Sequence, residues 1–188
     1  MTRITRRTFL EHSLLGTAAV SLTPGLAWSS TPRRAGPNDV IRVGVIGVRG
    51  RGRAHVGGFK GSPDSEVVAI CDPDEGIIGP AMKSVPDAKY YRDLREMLDD
   101  PSIDAVTVAT PNHWHSLATI WALQAGKHVY VEKPLSHDIG EGRVVVAAQR
   151  KYGVVIQHGT QNRSDARRAG LHEAIHAGRF GPLKIAFG

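Results

Sequence analysis

Val40-Ile41-Arg42-Val43-Gly44-Val45-Ile46-Gly47-Val48-Arg49-Gly50-Arg51-Gly52 is the stretch on which the fold turns. Residues 40–47 form an apolar run broken only by Arg42, the pattern of a strand buried on both faces, and glycines then crowd a turn before a helical stretch over 52–60. Glycines at a strand-to-helix turn let the backbone approach a bulky group closely. The free N–H groups at the helix N-terminus then suit a pyrophosphate, which makes Gly47, Val48, Arg49, Gly50 and Gly52 candidate dinucleotide contacts. The expected spacing is G-x-G-x-x-G, and here Arg49 stands at the middle glycine with Gly50 one residue later. Three readings stay open: the Arg49 Cβ reshapes the contact, Arg49 or Arg51 holds phosphate by its side chain, or the segment is a plain tight turn.

Outward from this turn, short apolar runs alternate with amphipathic ones. Strands are expected over 66–71, 103–109, 127–131 and 154–158, and helices over 74–84, 93–99, 113–125 and 138–151. Gly61, Pro86, Pro101, Gly126 and Gly153 close the helical stretches. The pattern predicts an α/β fold, a doubly wound parallel sheet of Rossmann type over residues 39–160. A helix over 164–178 and a strand beginning at Pro182 make residues 161–188 the expected start of a second, C-terminal α+β domain, cut short. Asp72, at the end of the second strand and 20 residues past Gly52, can accept hydrogen bonds from both ribose hydroxyls and would repel a 2′-phosphate, favouring NAD over NADP. It is equally suited to cap a helix beginning at Pro73.

Composition narrows the function. The chain is 188 residues, 41% hydrophobic and 22% charged, which excludes disorder, collagen and coiled coil. Its net charge of +6 is uneven: residues 1–38 hold five arginines against Glu11 alone, while the other 150 residues hold 19 basic and 17 acidic side chains. So balanced a body lacks a nucleic-acid footprint. Cys71, the single cysteine, reads as a small buried hydrophobe and permits neither an intrachain disulfide nor a cysteine-based zinc site. At the N-terminus, Arg6-Arg7, Phe9-Leu10, a modest apolar core and the small residues Gly25 to Ser30 resemble a twin-arginine export signal. Residues 1–30 are therefore expected to be a leader for the twin-arginine export machinery, directing the protein to the periplasm, with 31–38 as linker. The apolar core is too short for stable membrane insertion.

Two further segments close parallel strands: Thr110-Pro111-Asn112-His113-Trp114-His115 and Glu132-Lys133-Pro134. Loops at carboxyl ends of parallel strands are where such folds bind ligands, so both face the crevice of the glycine turn. Taken with the leader, the glycine turn followed by His55, the position of Asp72, and Gly159-Thr160-Gln161-Asn162-Arg163, these runs resemble the exported branch of the Gfo/Idh/MocA family of nicotinamide-dependent oxidoreductases. The resemblance covers residues 40–188.

It implies an enzyme that uses NAD, or NADP, and moves a hydride to or from a carbinol carbon of a sugar, cyclitol or related polyol. By motif match Lys133 is the catalytic lysine beside the nicotinamide, with Pro134 in a cis bond. Desolvation would lower the pKa of such a lysine so that it shares a proton with a developing alkoxide. Glu132, Thr110, Asn112 and His115 fall on cofactor-contacting positions, although His113 and His115 are as readily read as capping and packing residues around Trp114. Full-length members commonly form homo-oligomers through the second domain. The family also contains NAD-dependent glycosidases, and a non-catalytic dinucleotide-binding module is a third reading. A remote fourth comes from His172-Glu173-Ala174-Ile175-His176, an H-E-x-x-H zinc motif, which finds no third ligand among residues 177–188.

Overall fold

The computed structural model describes residues 40–182, 184 and 185; the expected leader and linker lie outside them. Six strands form one parallel sheet: β1 (Ile41–Ile46), β2 (Ser65–Cys71), β3 (Lys89–Tyr91), β4 (Ala105–Val108), β5 (His128–Glu132) and β6 (Ile156–Gly159). Their spatial order is β3-β2-β1-β4-β5-β6. The chain winds outward from β1 to β3, then returns to the far side of β1 and winds the other way. Connections leaving β1 and β4 therefore part in opposite directions and open a crevice at the carboxyl ends of those strands.

The helices are α1 (Arg51–Lys60), α2 (Gly79–Ser84), α3 (Leu94–Leu98), α4 (Asn112–Gln124), α5 (Ile139–Tyr152) and α6 (Ala166–His176), with a 3₁₀ turn over Gln161–Ser164. Alternation along the strands splits the core in two. Val45, Val67 and Ile70 face Val56 of α1 and Ala81 of α2. Ile46, Cys71, Val106, Val108, Val129 and Val131 face Met97 and Leu98 of α3, Ala118, Ala122 and Leu123 of α4, and Ala148 of α5. Each fully buried aliphatic contributes about 1.5–3 kcal/mol relative to exposure. Helices α3, α5 and α6 are capped by Asp93, Asp138 and Asp165, each accepting a hydrogen bond from a first-turn backbone amide. By contrast α1 and α4, which open onto the crevice, have neither a side-chain cap nor an acidic residue in the first turn.

The expected architecture holds, with local corrections. The helix expected over 74–84 occupies only Gly79–Ser84, because Asp74 draws the chain into a turn, its side chain accepting from the Gly76 amide (3.0 Å) and its carbonyl from the Ile77 amide (3.2 Å). Asp72 consequently caps no helix. The short strand β3 was not expected; it pairs three residues with Ala69–Cys71. The helix expected over 164–178 begins at Ala166 behind its Asp165 cap. Pro182, Lys184 and Ile185 are not in a strand, and the rest of the strand expected there lies outside the described residues. Cys71 is buried, and burial first, then the neighbouring Asp72 charge, pushes its thiol up to about 12. Among the described residues no helix is long and apolar enough to cross a membrane.

Candidate functional site

The glycine turn is built on two close approaches and one conformational demand. A Cβ on Gly47 (φ +84°) would lie 2.8 Å from the Ala109 carbonyl oxygen, and one on Gly52 would lie 1.8 Å from the Gly47 oxygen. Gly50 faces open space but has φ +52° with ψ −106°, a combination that L side chains rarely adopt and glycine tolerates. The left-handed position thus falls one residue after Arg49, which takes an ordinary backbone conformation. Arg49 projects outward, its guanidinium 3.1 Å from the Asp74 carboxylate, both well exposed. The departure from the expected spacing therefore leaves the turn unstrained.

Asp72 is buried and ties this turn to β2. One carboxylate oxygen accepts from the Val48 amide and the other from the Asp74 amide, each at 3.0 Å. Each oxygen retains capacity for a further donor.

At the end of β4, Thr110 has a buried hydroxyl with no protein partner, while Asn112 begins α4 and is exposed. His115 packs in the interior. It is 1% exposed, and its ring nitrogens face the carbonyl oxygens of Thr110 (2.8 Å) and Pro134. Set between these two carbonyls, the ring bridges the loop after β4 and the loop after β5, and the residue also lines the cavity described below. Ser116 strengthens the same joint, its single O–H placed to donate to Glu141 (3.0 Å) or to the Leu135 carbonyl (3.2 Å).

Glu132 is the hub. One oxygen, Oε1, accepts from Arg51 Nε (3.0 Å), His55 Nε2 (2.9 Å) and Gln161 Nε2 (2.9 Å), while Oε2 takes Gln161 Nε2 (3.1 Å) and the Lys133 amide (3.3 Å). Burial alone would raise its pKa; hydrogen bonds from His55, Arg51, Gln161 and the Lys133 amide overcome that and hold it at about 2. The other ring nitrogen of His55 meets the buried Thr107 hydroxyl, and the ring packs edge-on against Tyr130 at 5.4 Å.

Lys133 follows, joined to Pro134 by a cis peptide bond. The lysine side chain is exposed.

A cavity of about 680 Å³ gathers Thr110, Asn112, His115, Glu132 and Lys133 with Arg51, Ala109 and the Gly159–Arg163 segment. Gly47, Val48, Arg49, Gly50, Gly52 and Asp72 stand outside its lining, next to it through Arg51 and through the Gly47–Ala109 contact. These residues fit a dinucleotide: a glycine cradle at an uncapped helix with a carboxylate beside it.

Sequence reasoning had not assigned Arg51, His55, Thr107 and Gln161 to one network. Two signals for it existed: the four-residue spacing of Arg51 and His55, which puts both on one helix face, and Thr107 as a polar break in an apolar strand. His172, Glu173 and His176 lie exposed on α6, and no three potential metal ligands gather among the described residues.

Comparison with known proteins agrees with this geometry. Residues 41–160 match the family GFO_IDH_MocA, described as an oxidoreductase family with an NAD-binding Rossmann fold. The chain is 32% identical over 141 residues to a myo-inositol 2-dehydrogenase of Thermotoga maritima, covering 75% of this chain and 42% of that protein. It is 33% identical over 165 residues to a glycosyl hydrolase family 109 protein of Shewanella, covering 75% and 36%. The crystal structure of myo-inositol 2-dehydrogenase from Lactobacillus plantarum shares the fold at TM-score 0.70 and 24% identity, covering 77% of this chain and 43% of that one. The chain thus spans less than half the length of these relatives.

Proposed function

This chain belongs to the Gfo/Idh/MocA family of oxidoreductases, and on that footing we propose that it forms the nicotinamide-binding part of an enzyme that oxidises or reduces a polyol at a carbinol carbon. The observation that carries the reading is a glycine cradle, tied to the Asp72 carboxylate through the Val48 amide, standing next to the cavity that Lys133 lines. Gly47, Val48, Arg49, Gly50 and Gly52 would hold the pyrophosphate, with backbone N–H groups of α1 facing its charge. Asp72 would accept from the adenosine ribose, favouring NAD over NADP. The nicotinamide, when bound, supplies or accepts the hydride. Lys133 would donate a hydrogen bond to the substrate oxygen and share its proton as that oxygen becomes a carbonyl or an alcohol. An exposed lysine gains the required desolvation only when ligands cover it. The relatedness to an inositol dehydrogenase supports a cyclitol or sugar as substrate.

The test is titration of the chain with NADH and, separately, NADPH, followed by nicotinamide fluorescence. Saturable NADH binding, weakened by Asp72→Ala and left intact by Lys133→Met, supports the assignment. Equal binding by wild type and Asp72→Ala removes the ribose role, and undiminished polyol oxidation by Lys133→Met removes the catalytic one.

A second reading, an NAD-dependent glycosidase, is supported by the 33% identity to a glycosyl hydrolase family 109 protein. It predicts release of a p-nitrophenol leaving group without net NADH formation, whereas the first reading predicts one NADH per polyol oxidised. The same proposal takes residues 1–30 as a twin-arginine leader. Cell fractionation should find the protein in the periplasm, and in the cytoplasm once Arg6 and Arg7 are both replaced by Lys.

A further inference from the structure

Arg49 stands where the glycine spacing expects its middle glycine, and its side chain leaves the turn on the side of Asp72. The Asp72 carboxylate accepts from the amides of Val48 and Asp74, at 3.0 Å each, and so draws the chain just before Arg49 up to the chain at Asp74. There Arg49 Nη2 donates to Asp74 Oδ2 at 3.1 Å. The two partners are not held alike. Asp74 is fixed by a turn of its own, its Oδ1 accepting from the Gly76 amide at 3.0 Å. Arg49 is 72% exposed and joined to Asp74 through an exposed ion pair, a contact that water weakens. The arginine can turn to a stronger anion; the aspartate stays.

An acidic residue at the end of the second strand accepts from the ribose hydroxyls of a dinucleotide, and NADP differs from NAD by a phosphate on that ribose, which a nearby arginine accommodates. Asp72 has each oxygen on a backbone amide and cannot move aside, so the mobile charge at this end belongs to Arg49. A 2′-phosphate carries about −1.5 to −2 at neutral pH. To reach Arg49 it must displace the Asp74 carboxylate and then lie beside it, unpaired and of like charge. We infer that Asp74 is a specificity-determining residue that keeps the site for NAD, by occupying Arg49 and by repelling a 2′-phosphate. The chain thus holds a latent NADP site that one carboxylate closes. The inference rests on the proposed nicotinamide-dependent function.

Two substitutions separate the charges. Asp74→Asn removes the negative one and keeps an oxygen for the Gly76 amide, while Arg49→Gln removes the positive one. Both side chains are exposed, and melting temperatures confirm that the variants fold. Wild type, each variant and the double variant are titrated with NADH and with NADPH by nicotinamide fluorescence, at low and at high salt, and the ratio of the two affinities is read.

Asp74→Asn should bind NADH as wild type does and shift the ratio toward NADPH by about tenfold or more. Arg49→Gln should shift it the other way, and the double variant, with neither charge, should return close to the wild-type ratio. Salt should shrink the shift in Asp74→Asn. The inference is overturned if Asp74→Asn keeps the wild-type ratio. It is overturned equally if the shift survives in the double variant, which would take Arg49 out of the site and leave Arg92, paired with Glu75 at 3.7 Å, as the cation. Wild type binding neither dinucleotide overturns the functional reading as well, whereas ordinary NADH binding with an unchanged ratio overturns the assignment to Asp74 alone.

Discussion

Replacing Glu132 with Gln tests whether the network around the crevice works through charge. The substitution keeps shape and removes a carboxylate facing donors from Arg51, His55, Gln161 and the Lys133 amide. A carboxyl group depressed from 4.5 to about 2, at about 1.4 kcal/mol for each tenfold change in proton affinity, contributes on the order of 3 kcal/mol at neutral pH. Because Arg51 is half-exposed, most of this comes from the buried His55 and from Gln161. The sign follows from linkage: the folded pKa is lowered, so the stabilisation is complete above the unfolded value and drains away as pH falls toward the folded one. Between pH 7 and pH 3 the contribution drops from about 3 to about 1.4 kcal/mol, since the unfolded carboxyl is by then protonated. Urea unfolding of wild type and Glu132→Gln at both values, extrapolated to water, measures the difference directly. Other carboxylates titrate in both proteins and cancel. A gap under about 1 kcal/mol at pH 7, or one that stays constant down to pH 3, would refute the claim that this network holds an ionised Glu132.

Four further outcomes are expected. Gly52→Ala places a methyl 1.8 Å from a backbone oxygen that cannot yield, so melting should fall by several degrees with NADH binding lost. Gly57→Ala, on the same helix with nothing within 4 Å of the new Cβ, should instead stabilise the chain by about 0.5–1 kcal/mol. Cys71, with its thiol pushed up to about 12 and its side chain 1% exposed, should resist iodoacetamide at pH 8 in the native protein and react at an ordinary rate in 6 M urea; rapid native labelling would contradict its burial. Gln149→Leu removes a donor from the Val154 carbonyl (3.3 Å) at the end of α5, and should cost about 1 kcal/mol in urea unfolding without changing NADH affinity.

Most of the sheet was legible because strands buried on both faces read as continuous apolar runs, as β1 and β4 do. The strand β3 was not: Lys89-Tyr90-Tyr91 is three residues long and has one neighbour, too little for a period to register. Asp72 was found by its distance from the glycine turn, yet its hold on the Val48 amide depends on strand pairing that spacing does not report. The brace formed by His115 was hidden for a similar reason, since its partners are backbone carbonyls of two loops and only the folded chain brings them together. For Glu132 the motif marked a position, while its partners Arg51, His55 and Gln161 come from α1 and the turn after β6. Lys133 was placed correctly at the strand end, but a strand end does not determine how much solvent reaches it.

The separations spanned by Glu132, 77 residues to His55, 81 to Arg51 and 29 to Gln161, bear on how the domain breathes. Three partial openings each break the crevice: freeing β6 takes Gln161 away, freeing β5 removes Glu132, and freeing α1 takes both Arg51 and His55. A ligand seated there therefore raises the free energy of each of these openings together, by RT ln(1 + [L]/Kd). Amide exchange should then slow in α1, β5 and β6 together, rather than only in the loops that touch the ligand, so that occupancy fuses these three cooperative units into one.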